Sequence, residues 1–290
     1  MLHHVHTTLE VPATLAAALT AFAYARGWLQ IRRRFPRALP ARRLAAFMMG
    51  LLTVWIAAGS PLAALHHELL TVHMVQHILL MSVASPLMLI GAPALPLLYG
   101  IPWHTVRGGW GRLLRSRLVK TVRRLLGHPA ICWLAPTVVL IGWHVPAAFE
   151  LAVRSRWWHD IQAASFLASG ILFWGPVIHS RPRRPTWPRW SIPLYLFAAT
   201  LPCDALSAFL VFCDRVVYPS YLSAPRFFNI SPLGDQECAG ALMWVAVTLI
   251  YLVPAVAVTL QLLSPAQMRA RVLMHELPSP PRDQPEAEVG

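Results

Sequence analysis

The chain is a succession of apolar runs, separated by shorter stretches that carry arginine and proline. A helix needs roughly 20 apolar residues to cross the hydrocarbon core of a bilayer, and several runs reach that length. The runs are continuously apolar instead of alternating, which favours helices over the strands of a barrel. Charged residues make up only 13% of the chain, against about 25% in soluble domains. The sequence therefore predicts an all-α fold, a polytopic membrane helical bundle.

We predict about seven transmembrane helices in a single domain, residues 1–263. The predicted spans are about 9–29, 44–65, 69–90, 130–151, 157–179, 191–212 and 237–263. No Lys or Arg precedes the first span, so we expect it to stay as an anchor and not to be cleaved as a signal peptide. Pro86 is expected to kink the third span. Residues 264–290 are rich in Pro, Glu and Asp and are predicted to be a disordered cytoplasmic tail.

Basic residues are distributed unevenly between the two sides of this topology. The loops after spans 1, 3 and 5, together with the tail, hold 21 of the 25 Lys and Arg. The positive-inside rule therefore places the N-terminus outside and the C-terminus in the cytoplasm. Basic and apolar residues also alternate at helical spacing over about 110–126, which predicts an amphipathic helix on the membrane surface. Anionic lipid at the cytoplasmic face is thus the expected partner of the +13 net charge, and nucleic acid is not.

The third span opens with an unusual concentration of histidine. His73 and His77 are four residues apart, so a helix places both on one face, and Met81 extends that stripe by another turn. Two imidazoles and a thioether suit a soft or borderline metal such as copper. The alternative is that these side chains only form hydrogen bonds within the bundle. Because ionisable groups inside a membrane are functional candidates, we predict a metal site here.

The predicted topology brings further polar residues to the same outer half of the membrane. His144 is a candidate ligand, or else it satisfies a carbonyl freed by the proline that follows. His159 is a candidate ligand or an interfacial residue. Asp204 lies within the sixth span and is a candidate site residue, because a buried acid needs a partner such as an outer-half histidine or a ligand imidazole. Asp235 is either a site residue or the N-cap of the seventh helix. Nine of the 13 histidines fall on this side: His3, His4, His6, His66, His67, His73, His77, His144 and His159.

The cysteines give no clear pattern, because their spacing matches neither a zinc motif nor a disulfide framework. Cys213 and Cys238 are both predicted near the outer surface, where a disulfide, copper(I) thiolates or free thiols are all open.

Several short motifs, in order, give the chain a family resemblance over about residues 44–262. They are His73-Met74-Val75-Gln76-His77, Pro86-Leu87, Gly91-Ala92-Pro93, Trp143-His144-Val145-Pro146, His159, Phe173-Trp174-Gly175-Pro176-Val177, Tyr218-Pro219-Ser220-Tyr221, Asp235-Gln236, Gly240 and Met243-Trp244. Together they resemble the CtaG family of bacterial cytochrome c oxidase assembly factors, in its seven-span form. The matching polar positions are His73, His77, His144, His159 and Asp235. Cys203, Cys213 and Cys238 are not part of the family pattern.

The resemblance implies a multi-pass protein of the bacterial inner membrane that helps to mature a haem–copper oxidase, with oxidase subunits as partners. Copper is the implied cargo, received on the periplasmic side, and no enzymatic reaction is expected. Three alternatives stay open. A b-type haem protein would use two of the histidines as axial ligands. A copper permease would need polar groups that continue into the cytoplasmic half, and a purely structural scaffold would not need the histidines.

Overall fold

The computed structural model describes residues 2–35, 39–60, 63, 65–100, 116–178, 188–224 and 229–264, and these residues form helices and no strands. The helices are α1 (Leu2–Arg34), α2 (Ala41–Gly59), α3 (Leu70–Ile78), α4 (Ser85–Ile90), α5 (Ala94–Gly100), α6 (Arg117–Leu126), α7 (Pro129–His144), α8 (Pro146–Arg154), α9 (Arg156–Ile178), α10 (Ser191–Phe212) and α11 (Pro232–Leu263). A π-helical segment, Leu79–Ala84, joins α3 to α4, and 3₁₀ turns form at Leu65–His67 and Pro219–Leu222.

Within the described residues, five helices are long and apolar enough to cross a membrane: α2, the continuous stretch Leu70–Ile90, α9, α10 and α11. The predicted all-helical membrane bundle is confirmed at that level. The count of seven spans and the orientation of the termini stay predictions. The first predicted span lies within α1, the amphipathic stretch overlaps α6 from residue 117 onward, and the tail from residue 265 lies outside the described residues.

The span predicted over 130–151 is divided into two helices, because the chain bends by 77° between α7 and α8. Val145 has extended backbone angles, φ −60° and ψ 125°. Pro146 follows it, and a proline ring disfavours the α conformation in the residue before it. If α7 and α8 together form one broken span, they are a sixth crossing.

The kink expected at Pro86 stays a prediction, but a π-helical segment, Leu79–Ala84, directly precedes the turn that contains this proline. A proline inside an α-helix clashes with the carbonyl four residues earlier, and the wider π turn relieves that clash. The hydroxyl of Ser85 donates to the carbonyl oxygen of Leu80 at 2.8 Å and to that of Leu167 in α9 at 3.2 Å. These two hydrogen bonds connect the end of the π-helical segment to its own backbone and to α9.

Two apolar clusters form the interior. The larger lies among α3, α7, α9, α10 and α11, and the smaller lies between α1 and α2 around Tyr24, Trp28 and Phe47. The Tyr24 ring stacks on Phe47 at 3.9 Å, and its hydroxyl donates to the Gly91 carbonyl at 2.7 Å. α10 and α11 make the most extensive helix pair. The larger cluster is the one that supports the histidines.

The buried histidines lie at one end of the bundle. The C-terminal ends of α7 and α10 and the N-terminal ends of α3, α9 and α11 meet there, as hydrogen bonds and ring contacts between them show. This antiparallel arrangement brings together residues that are far apart in the sequence.

We predict that Gly170→Ala destabilises the bundle. A Cβ at Gly170 would lie 2.5 Å from the carbonyl oxygen of Met81 and 2.5 Å from the Ser85 hydroxyl oxygen. Overpacking of this kind costs about 1–3 kcal/mol, so the thermal unfolding midpoint of the purified protein in detergent should fall. Gly142→Ala is the matched control, since a Cβ there meets nothing within 4 Å. An equal effect of both substitutions would contradict this account of the contact between α9 and the π-helical segment.

Candidate functional site

Six histidine rings form a continuous cluster at this end of the bundle. His66 stacks on His159 with ring centroids 4.0 Å apart, and His67 lies 3.8 Å from His66. His73 lies 5.6 Å from His159 and 4.4 Å from His77. The row ends at His144, 6.4 Å from His77. His67 is exposed and the other five are at most 8% exposed, so the cluster leads from the surface into the bundle. We call these residues (His66, His67, His73, His77, His144 and His159) the histidine cluster.

Most of the buried ring nitrogens in the histidine cluster have no hydrogen-bond partner among the described residues. They are His66 Nε2, His73 Nδ1, His73 Nε2, His77 Nδ1, His77 Nε2 and His159 Nε2. Buried polar atoms are almost always paired, because an unpaired one costs about 1–3 kcal/mol. Six such atoms in one place therefore indicate a site that engages a ligand or water.

Two rings are held so that one nitrogen is left available. The Nδ1 atom of His144 lies 2.7 Å from the carbonyl oxygen of Leu140, and His66 Nδ1 makes the same kind of contact with the Ala63 carbonyl. A carbonyl oxygen only accepts, so Nδ1 carries the proton in both rings and Nε2 bears the lone pair. Metal-binding histidines commonly donate their second N–H in this way.

His66 is a neutral imidazole. Burial, and then the nearby His159 and His67 rings, lowers the pKa of His66 to about 2. A neutral ring is the form that binds a metal.

The helix that carries His73 and His77 is capped by a distant residue. Both carboxylate oxygens of Asp235 accept from the first amides of α3, from Leu70 N at 2.6 Å and Thr71 N at 3.1 Å. The Thr71 hydroxyl also donates to this carboxylate at 2.6 Å. A carboxylate at a helix N-terminus satisfies unpaired amides and complements the helix dipole. Asp235 thereby fixes where the histidine helix begins.

The prediction that Asp235 is the N-cap of its own helix is wrong. Ser231 holds that position, and its hydroxyl accepts from Gly234 N at 3.0 Å. Asp235 lies in the first turn of α11, so its side chain can reach across to α3. The adjacent Gln236 accepts from Val217 N at 2.7 Å and donates to the Leu210 and Arg215 carbonyls, which holds the loop after α10.

Helix α8, which follows the bend after α7, and the 3₁₀ turn Pro219–Leu222 cover the histidine cluster. Phe149 of α8 lies 4.7 Å from His73 and stacks on Tyr218 at 3.8 Å. The hydroxyls of Tyr218 and Tyr221 donate to the carbonyls of His144 and His66, at 3.2 and 2.8 Å. Burial raises the pKa of Tyr221 well above its ordinary value, so this hydroxyl keeps its proton. Glu150 accepts from both the amide and the hydroxyl of Ser220.

A cavity of about 30 Å³ lies below the histidine cluster, with room for about two water molecules. His77 and His144 form part of its wall, and the rest is largely apolar. Met81, predicted to extend the histidine stripe, does line this cavity even though the π-helical segment interrupts the regular helix. The sulfur-bearing residues on the wall are Met74, Met81, Met243 and Cys203.

The structure brings His73, His77, His144 and His159 together, but it places Asp204 elsewhere. Asp204 is half-buried, and the Thr248 hydroxyl donates to its carboxylate at 3.4 Å. All four cysteines are free thiols. Across the described ranges, no group of three or more His, Cys, Asp or Glu side chains is arranged to hold a metal ion. Whether the predicted residues bind a metal therefore stays a prediction.

Four residues in or beside the histidine cluster were not predicted as site residues, and exposed His67 is one of them. His66 enters through the 3₁₀ turn, whose course no helical periodicity specifies. Gln162 is fully buried with both amide atoms unpaired, and it lies one turn after His159. Gln76 donates to the Ala63 carbonyl at 3.1 Å, while its oxygen is unpaired. The spacing of Gln162 from His159 was the available signal, because residues three apart share a helix face.

Comparison with known proteins gives a consistent result. The family model described as cytochrome c oxidase caa3 assembly factor matches residues 22–264. An uncharacterized protein of Mycobacterium bovis is 27% identical over 249 residues, covering 79% of this chain and 35% of its own length. An uncharacterized protein of Mycobacterium leprae is 23% identical over 253 residues, covering 84% of this chain and 38% of its own. The chain thus spans about a third of the length of these relatives. No solved structure matches it.

We predict that Asp235→Asn lowers the free energy of unfolding by about 1–3 kcal/mol, because hydrogen bonds to a charged group are lost at the start of α3. Thermal unfolding of the purified protein in detergent measures this. Asp204→Asn is the matched control, since its described hydrogen bond is a single one at 3.4 Å. A larger effect at Asp204 than at Asp235 would contradict the role of Asp235 as the cap of α3.

Proposed function

The chain belongs to the family of cytochrome c oxidase caa3 assembly factors, and on that basis we propose that it handles copper during the assembly of a haem–copper oxidase. Copper is received at the histidine end of the bundle, on the periplasmic side of the inner membrane. His73 and His77, with His144 or His159, hold it, and it passes from there to an oxidase subunit. Copper is the cargo in this scheme and not a resident cofactor.

The observation that carries the proposal is the set of six unpaired ring nitrogens in the histidine cluster. Imidazole nitrogen and thioether sulfur are both donors that copper accepts, and hard cations such as magnesium prefer oxygen. The two carbonyl contacts that orient His66 and His144 leave their Nε2 atoms available. Exposed His67 at one end of the row gives the cluster an entry from the surface.

A carrier must also release its cargo. The described residues hold no closed arrangement of three His, Cys, Asp or Glu ligands, in contrast with the complete shells of structural metal sites. An incomplete shell supports exchange with a partner that supplies the remaining ligands. We propose that the partner is an oxidase subunit, that the basic loops contact anionic lipid at the cytoplasmic face, and that no reaction is catalysed.

The haem alternative is weakened by the size of the cavity. A porphyrin needs a slot far larger than about 30 Å³, which accommodates about two water molecules. His73 and His77 also lie on one face of one helix, so they cannot approach a macrocycle from opposite sides. A metal ion without a macrocycle fits this space better.

We predict that the variant His73→Ala/His77→Ala loses the copper(I) that the histidine cluster holds and that cells carrying it lose oxidase activity. The measurements are metal analysis with copper(I) titration of the purified protein, and oxidase activity in membranes. His128→Ala is the control, because His128 is exposed beside the N-terminus of α7.

Each outcome of this experiment decides between functions. Unchanged copper binding and unchanged oxidase activity in the double variant would overturn the proposed metal role. If the double variant loses copper binding and the cells keep normal oxidase activity, the proposed link between copper binding and oxidase assembly is overturned. A Soret absorption band in the wild-type protein would favour the haem alternative instead.

A further inference from the structure

The contact between His144 and Met74 joins two hydrogen-bond acceptors without a donor between them. His144 Nε2 lies 3.3 Å from the Met74 sulfur. The Nδ1 proton is committed to the Leu140 carbonyl, so Nε2 of the neutral ring carries a lone pair. The thioether sulfur is also an acceptor. Two lone pairs therefore face each other in the protein interior, an arrangement that an electron-poor species bound by both atoms would stabilise.

The separation of these two atoms suits two ligands of one ion. Bonds of about 2.0 Å to nitrogen and about 2.3 Å to sulfur, the lengths found at zinc sites, span 3.3 Å at an angle near the tetrahedral value. The bland alternative is that Met74 only fills space, as methionine often does in cores. Against that, Met74 does not stand alone, because three further sulfur-bearing residues line the adjoining cavity.

Those three residues come from three different elements around one cavity. Met81 is supplied by the π-helical segment, Cys203 by α10 and Met243 by α11. Cys203 and Met243 are 4% and 3% exposed. Cys203 has only a long contact, 3.9 Å, with the Ser207 hydroxyl. Thioethers and thiols are soft donors, which select copper(I) over zinc and over harder cations.

We propose a second copper(I) site in this cavity, formed by Met74 and His144 with Met81, Met243 and Cys203. The inference rests on the proposed copper handling and deepens it. Copper enters at the nitrogen ligands of the histidine cluster and is then held, in reduced form, by the sulfur-rich cavity. His144 belongs to both sites and links them.

The test uses the full-length protein in detergent, loaded with copper(I) under reducing conditions. The inner variant is Met81→Leu/Met243→Leu/Cys203→Ser, in which leucine conserves volume. The control variant is Met48→Leu/Met88→Leu/Cys132→Ser, because those methionines pack in the smaller cluster between α1 and α2 and Cys132 does not line the cavity. The outer variant is His73→Gln/His159→Gln, because neither residue lines the cavity. Bound copper is measured per chain, and X-ray absorption reports whether sulfur or nitrogen surrounds it.

The inner variant should lose about half of the bound copper and its sulfur scattering, because the nitrogen site stays loaded. The outer variant should also lose about half and keep the sulfur scattering, and the control should match the wild type. Full copper loading of the inner variant with unchanged scattering would overturn the second site and leave the proposed function standing. Loss of the sulfur-bound copper with normal oxidase activity in all variants would support the site and overturn the proposed function. Wild-type protein that binds no copper(I) would overturn both.

Discussion

Burying polar imidazoles away from water costs free energy, and much of this bundle is arranged around that cost. A buried polar group without a partner is costly, and five histidines of the cluster are at most 8% exposed. The surrounding elements hold the buried imidazoles in two ways. Carbonyls of Leu140 and Ala63 fix one nitrogen of His144 and His66. The six unpaired ring nitrogens lie beneath α8 and the turn at Pro219–Leu222, whose side chains cover them. A protein that only needed stability would place apolar side chains in these positions.

Two irregular features of the helices adjoin the histidine cluster, the bend at Val145 and the π-helical segment. The 77° bend at Val145 turns α8 across the histidines, so Phe149 can pack on His73 and Glu150 can hold Ser220. The π-helical segment begins directly after α3 and places Met81 on the cavity wall. Regular helices elsewhere in the described bundle need none of these devices. Departures from regular helix geometry therefore coincide with the site, which is the pattern expected where function overrides local preference.

Much of the helical framework followed from the sequence, because long apolar runs end at arginine, proline or polar residues. The helix predicted at 191–212 is observed as Ser191–Phe212, and the stretch predicted at 69–90 as Leu70–Ile90. What the sequence did not reveal depends on contacts between distant residues. Asp235 reaches amides 164 and 165 positions away, and no spacing rule within α11 shows that. Likewise, helical periodicity grouped His73 with His77, but only the packing of a 3₁₀ turn against α9 brings in His66.

The capping of α3 by Asp235 has a consequence for how the protein is made. The chain is synthesised from its N-terminus, so α3 exists well before α11 emerges from the ribosome. Until α11 has been inserted, the Leu70 and Thr71 amides lack the carboxylate that they bind in the folded protein. The loop held by Gln236 is likewise untethered until then. The histidine cluster thus acquires its final support and cover late in biosynthesis.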